Sequence, residues 1–92
     1  MYFEWDEAKN RANVHKHGID FQDVREMFRH PMLTLCDRRT DYGEDRWVGI
    51  GWMKLQVGVV VYTEQTGDII RIISARKATR EEVKQYVERI EN

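Results

Sequence analysis

The 92-residue sequence predicts a small α+β domain: a twisted antiparallel sheet with two helices before it and one after. Three observations carry that prediction. Helix-type patterns end at the single proline, Pro31; four runs rich in Val, Ile, Trp and Tyr follow it; and a further helix-start signal appears only at Thr79. Consecutive strands joined by short turns pair as antiparallel neighbours, and the helices are expected on one face of the sheet. A chain this short has apolar material for one core, so residues 1–92 are read as a single domain.

Tyr2 to Trp5 alternates enough for a short strand, after which Asp6 can cap a helix running to the turn signal at Gly18. Asp20 caps the second helix, flanked by Ile19 and Val24 at staple spacing; Phe21, Val24, Met27 and Phe28 are its buried residues, and His30-Pro31 ends it. The expected strands are Leu33 to Cys36, Trp47 to Met53, Gln56 to Thr63 and Ile69 to Ala75. Their turns fall at Asp41-Tyr42-Gly43, at Lys54 and at Thr66-Gly67-Asp68. Thr79 and Glu82 can form a capping box for the last helix, whose stripe of Val83, Tyr86, Val87 and Ile90 faces the core.

Fifteen basic and sixteen acidic residues give a net charge of −1, which argues against a protein that coats nucleic acid by bulk electrostatics. The charge is uneven, however. After Asp68 the chain carries Arg71, Arg76, Lys77 and Arg80 before the next acid at Glu81, a local excess able to hold a phosphate. No apolar run approaches the roughly 20 residues of a membrane span, and the first residues are acidic where a signal peptide is basic; a cytoplasmic location is expected. Lone Cys36 reads as a small apolar filler. No Gly-rich phosphate loop in a strand-to-helix context points to a nucleotide cofactor, and none is expected.

Three blocks make the chain recognisable: FEWDEAKNRANVHKHGIDF near the start, DYGEDRWVGIG in the middle and VVVYTEQTGDIIRIISARKATREEVKQY towards the end. In order and spacing they resemble the BrnT family, over nearly the whole chain. The resemblance implies a RelE-like fold and a type II toxin that cleaves RNA without metal. It further implies a BrnA-like antitoxin with a ribbon-helix-helix DNA-binding domain, a toxin–antitoxin hetero-oligomer, and contact with operator DNA only through that antitoxin.

Cleavage of that kind uses the ribose 2′-oxygen as nucleophile, so a proton must be removed, phosphate charge stabilised and the departing 5′-oxygen protonated. Arginine suits the middle task, because its planar fork can clamp two phosphate oxygens. Strand alternation places Arg71 with Ile69, Ile73 and Ala75, and Arg76 on the other face with Ser74; a bend or bulge after Ser74 can bring Arg76 back. For Arg71 a phosphate contact and a solvent-face charge are level readings, whereas Arg76 and Lys77, just before the last helix, are placed to reach a ligand over the sheet edge. Arg46 is a phosphate contact or a partner of Glu44 or Asp45. Glu64 can face Arg71 across neighbouring strands, either orienting it or accepting the proton.

His17 closes the first helix, where the dipole favours its charge, and an acid role is secondary; His15 and His17, two apart on a helix, make a poor metal chelate. Lys9 and Tyr86 are candidates because RelE-type ribonucleases employ lysine and a C-terminal tyrosine, although Lys9 also reads as an exposed helix residue and Tyr86 as part of the core stripe. Trp47, Trp52 and Tyr62 can stack bases, but their strand positions favour packing. The competing function class is a catalytically inactive toxin-fold module that only binds an antitoxin-like partner. A direct DNA-binding repressor lacks a helix-turn-helix with a basic recognition helix.

Overall fold

The run Val57-Gly-Val-Val-Val-Tyr62 is apolar in both phases of its alternation, and a strand of that kind must be covered on both faces. In the computed structural model, which describes residues 1–37 and 44–91, it forms β4 (Gln56–Gln65), the middle strand of five. The Asp41-Tyr42-Gly43 turn lies outside the described residues. β3 (Arg46–Met53) and β2 (Leu33–Asp37) extend the sheet on one side and β5 (Ile69–Lys77) on the other, all antiparallel. β1 (Tyr2–Glu4) adds to the outer side of β5 in parallel, with Tyr2 opposite Ile69 and Glu4 opposite Arg71. This parallel edge departs from the wholly antiparallel sheet expected; β1 and β5 are far apart in sequence, so no hairpin dictates their direction.

β5 carries one extra residue. Val61 pairs with Ser74 but Tyr62 pairs with Ile72, so Ile73 is bulged out and the alternation changes phase there. Ile70, Ile72 and Ala75 consequently all enter one core, which strict alternation would not allow. Arg71, Ser74 and Arg76 are left together on the opposite face.

The first core joins Ile19, Phe21, Val24 and Met27 to Met53, Val60 and Tyr62 and to the three β5 residues. Its helices are α1 (Glu7–His17) and α2 (Phe21–Val24), the latter continued by a 3-10 segment over Arg25–Arg29 rather than by the single helix expected up to His30. Phe21, Val24 and Met27 are all completely buried at a spacing of three, and 3-10 geometry stacks residues three apart on one face. α1 begins where Asp6 accepts the N–H groups of Ala8 and Lys9 and ends at Gly18, whose φ of 71° only glycine adopts freely.

The buried residues of α1 are asparagines. Asn13 accepts the N–H of Ala75 at 3.0 Å and donates to the carbonyl of Ile19 at 2.9 Å. Asn10 accepts the N–H of Phe21 at 2.9 Å and donates to the Asp20 carboxylate at 3.1 Å. Amide side chains thus fasten α1 to β5 and to the start of α2.

A second core lies on the other face: Ile50, Val57 and Val59 pack against Ala78 and Tyr86, with Val83 and Ile90 partly buried beside them. It is roofed by α3 (Arg80–Tyr86), which closes in a π-helical turn over Val87–Glu91. The expectation that all helices share one face is therefore corrected, because both phases of β4 are apolar and each needs a cover. Gly51 permits a further close approach, since a Cβ there would lie 2.8 Å from the Met32 side chain. Among the described residues no helix is long and apolar enough to cross a membrane.

Replacing Asn13 by Ala leaves a buried N–H on β5 and a carbonyl after α1 without partners. Urea denaturation should show a loss of about 2–4 kcal/mol; a loss under about 0.5 kcal/mol would mean that the asparagine does not hold α1 to the sheet.

Candidate nucleic-acid interface

α3 roofs only part of the second face. Beside it, Leu35, Asp37, Val48, Val59, Val61, Ser74 and Arg76 line an open groove of about 440 Å³. Leu35 is 54% exposed. The bulge brings Arg71 to this same face, opposite Thr63, while Arg76 stands opposite Val59. Four residues along β4 separate those positions, so the two arginine backbones are about 13 Å apart.

Each arginine has its own carboxylate. Arg71 Nη1 donates to Glu4 on β1 at 2.7 Å. Arg76 donates from Nη1 and Nη2 to the two Glu82 oxygens at 2.7 and 2.9 Å, a bidentate pair, and Nη1 also donates to the carbonyl of Lys77. Glu82 at the same time accepts the N–H of Thr79 at 2.8 Å while Thr79 Oγ1 accepts the N–H of Glu82, completing the capping box. The hydrogen bonds from Arg76 hold the Glu82 carboxyl down at about 2 against the opposing effect of burial, and Glu82 in turn raises the Arg76 guanidinium further. One carboxylate thereby ties the groove wall to the first turn of α3. Near Arg71, Asp6 is held below the usual carboxylate range by the N–H groups of Lys9 and Ala8, with Lys9 and Arg71 adding to the positive field.

The other residues singled out from sequence are dispersed. Glu64 lies opposite Ile70, on the face of the first core, so the expected pairing with Arg71 does not form; the half-turn per residue of a strand sends consecutive side chains to opposite faces. Lys77 lies opposite Gly58, also turned from the groove, and is exposed. Lys9 and His17 are exposed on α1. Arg46 is the exception: partly buried opposite Asp37 across the β2–β3 pair, it stands two residues before the groove-lining Val48 and so on the groove face. Tyr86 is buried, its hydroxyl donates to the carbonyl of Pro31 at 3.2 Å, and burial raises its phenol above the ordinary value. It belongs to the second core, the reading its stripe favoured. Trp47 and Tyr62 pack with the first core. Among the described residues no group of three His, Cys, Asp or Glu side chains gathers where a metal ion could sit.

Glu4 and Glu82, the partners of the two arginines, were not among the sequence candidates. Glu82 was visible only as a helix cap, and Glu4 meets Arg71 through the parallel register of β1, which no local pattern announces.

The Glu82 carboxyl is lowered from 4.5 to about 2 on folding, so its contribution to stability is present above pH 4.5 and lost as the pH falls through 2. With Arg76 half exposed, solvent screening reduces that contribution to about 1–2 kcal/mol. Glu82→Gln, which keeps a capping side chain, should flatten the acid limb of the stability curve between about pH 5 and 2. Identical acid limbs in the two proteins would refute the ion pair.

The family model described as the ribonuclease toxin BrnT of type II toxin-antitoxin systems matches residues 5–82. The crystal structure of the Brucella abortus ribonuclease toxin BrnT is similar at 29% identity, with a TM-score of 0.68, over 87% of this chain and 99% of that one. No curated protein matches the sequence. A family match over most of the chain, together with the same mixed sheet and helices in a solved member, means that this protein belongs to the BrnT family of ribonuclease toxins of type II toxin-antitoxin systems.

Proposed function

We propose that the protein is a metal-independent endoribonuclease whose RNA substrate crosses the partly roofed sheet face, with Arg71 as principal phosphate contact and Arg76 and Arg46 as flanking positive charges. The bulge at Ile73 carries this reading, because it puts Arg71 and Arg76 on one accessible face. Arg71 meets Glu4 through Nη1, and a guanidinium has five N–H donors, so a phosphate can bind with the ion pair intact. As the 2′-oxygen attacks, charge builds on the non-bridging phosphate oxygens, and a guanidinium already oriented by Glu4 stabilises it without reorganising. Glu4 takes the orienting role that sequence reading gave to Glu64. Arg76, with both terminal nitrogens on Glu82, supplies field and shape more than a free fork. Lys77, Lys9 and His17 are at most outlying RNA contacts.

The same proposal includes a BrnA-like ribbon-helix-helix antitoxin that neutralises the toxin in a hetero-oligomer in the cytoplasm, with operator DNA bound only through the antitoxin. The family's description as a toxin-antitoxin component supports a protein partner of this kind. The second reading, an inactive module that only binds such a partner, is favoured by one observation: Arg71 and Arg76 are both paired with carboxylates.

Antitoxin-free protein incubated with labelled RNA in EDTA, alone and with translating ribosomes, separates the readings. Cleavage is expected, and Arg71→Ala should slow it about 100-fold while circular dichroism shows an unchanged fold. Arg76→Ala should lower both cleavage and thermal stability, since it also releases Glu82. Intact RNA in every arm would reject the ribonuclease reading in favour of the binding module.

A further inference from the structure

β1 presents one aromatic ring to solvent on the arginine face. Phe3 packs into the first core, so its neighbours Tyr2 and Glu4 point to the other side of the sheet, the side on which Glu4 meets Arg71. Tyr2 is 70% exposed, an unusual position for a tyrosine that no core residue requires. Its strand is nonetheless held firmly: the Tyr2 N–H donates to the carbonyl of Asp68 at 2.9 Å, and Tyr2 is in register with Ile69. That register makes Tyr2 and Arg71 diagonal neighbours on one face, roughly 7–8 Å apart at the backbone.

A ring beside an oriented guanidinium matches the repeating chemistry of single-stranded RNA, in which each phosphate is followed within one nucleotide by a flat base with exposed faces. We propose that Tyr2 stacks on the nucleobase adjacent to the phosphate held by Arg71, and that the substrate class at this site is single-stranded RNA. In a duplex both faces of every base are already covered by neighbours, so the ring has nothing to stack on; an unpaired segment offers it a face at little cost. Glu4, between the two side chains, fixes Arg71 and leaves the ring free. Stacking tolerates any base, so Tyr2 contributes affinity and position without dictating sequence. This proposal rests on the ribonuclease reading above.

The test uses single-turnover cleavage of single-stranded oligoribonucleotides in which each nucleoside near the cut is replaced, one at a time, by an abasic ribose. Native protein should lose about tenfold in rate at one such position, the scale of a single base–aromatic stack. Tyr2→Ala and Tyr2→Leu should lose about as much on the complete strand and nothing further at that abasic position; Tyr2→Leu, suited to a strand, guards against loss of β1. Tyr2→Phe, which restores the ring, should recover most of the rate. Cleavage by Tyr2→Leu at the native rate, or an abasic penalty that persists undiminished in it, would overturn the stacking role while leaving the ribonuclease intact. If native protein cuts no RNA, free or on ribosomes, the ribonuclease reading fails and the stacking proposal falls with it.

Discussion

The N–H of Ala75 is buried in β5 beyond the end of its pairing with β1, and its acceptor is on a helix, Asn13 Oδ1 at 3.0 Å. Much of the architecture depends on that bond. The pairing of β1 with β5 ends at Arg71, and a buried N–H beyond it without a partner would cost about as much as several well-packed methyl groups contribute. Because Asn13 satisfies it, α1 is placed along β5 just beyond the bulge at which the phase of the strand changes. Asn10 repeats the device one turn earlier by accepting the N–H of Phe21, so two amides set the position of three elements.

That phase change decides what each face contains. Without it, Ala75 would leave the first core and Arg76 would turn away from Arg71. With it, Ile70, Ile72 and Ala75 share the side packed against α2, and Arg71 and Arg76 come together on the side that α3 covers in part. α3 is short, and its position is secured at both ends. Its first turn is tied by Glu82 to Arg76 and Thr79, and its last residue, Tyr86, is tied by its hydroxyl to the carbonyl of Pro31. A helix held in this way cannot slide over the groove beside it, so the width of the open sheet face is set by fixed contacts and not by helix propensity.

The electrostatics of that face are restrained. Net charge is −1, and the two arginines on it are each paired with a glutamate, so the resting surface is far from the dense basic stripe of a protein that binds nucleic acid by charge alone. The two pairs differ in kind. The bidentate Arg76–Glu82 pair is part of a helix cap and is structurally committed, whereas the Arg71–Glu4 contact is made through one nitrogen on a three-residue edge strand and leaves donor capacity for a ligand. A toxin that must be silenced by a protein partner and act on RNA when released gains from such a surface, which is not so basic that it binds every polyanion indiscriminately.

Several features could be determined from the sequence by itself because their causes are local. Asp6, Asp20 and Thr79 each cap the helix they precede through hydrogen bonds within three residues, Gly18 ends α1, and the Val- and Ile-rich runs form strands within two residues of the expected bounds. The three blocks that resemble the BrnT family likewise gave the family. Tertiary structure alone decided the rest. The bulge at Ile73 depends on how β5 pairs with β4, α1 is held to β5 by an asparagine far earlier in the chain, the parallel placement of β1 on β5 joins the two ends of the fold, and the site of α3 depends on β4 being apolar in both phases. Each of these determines the direction of a side chain, which is why Arg71 found Glu4 and not Glu64. Spacing along a chain reports a residue's neighbours within one element; which charges meet across elements is fixed by register, and register is set by packing the whole sheet at once.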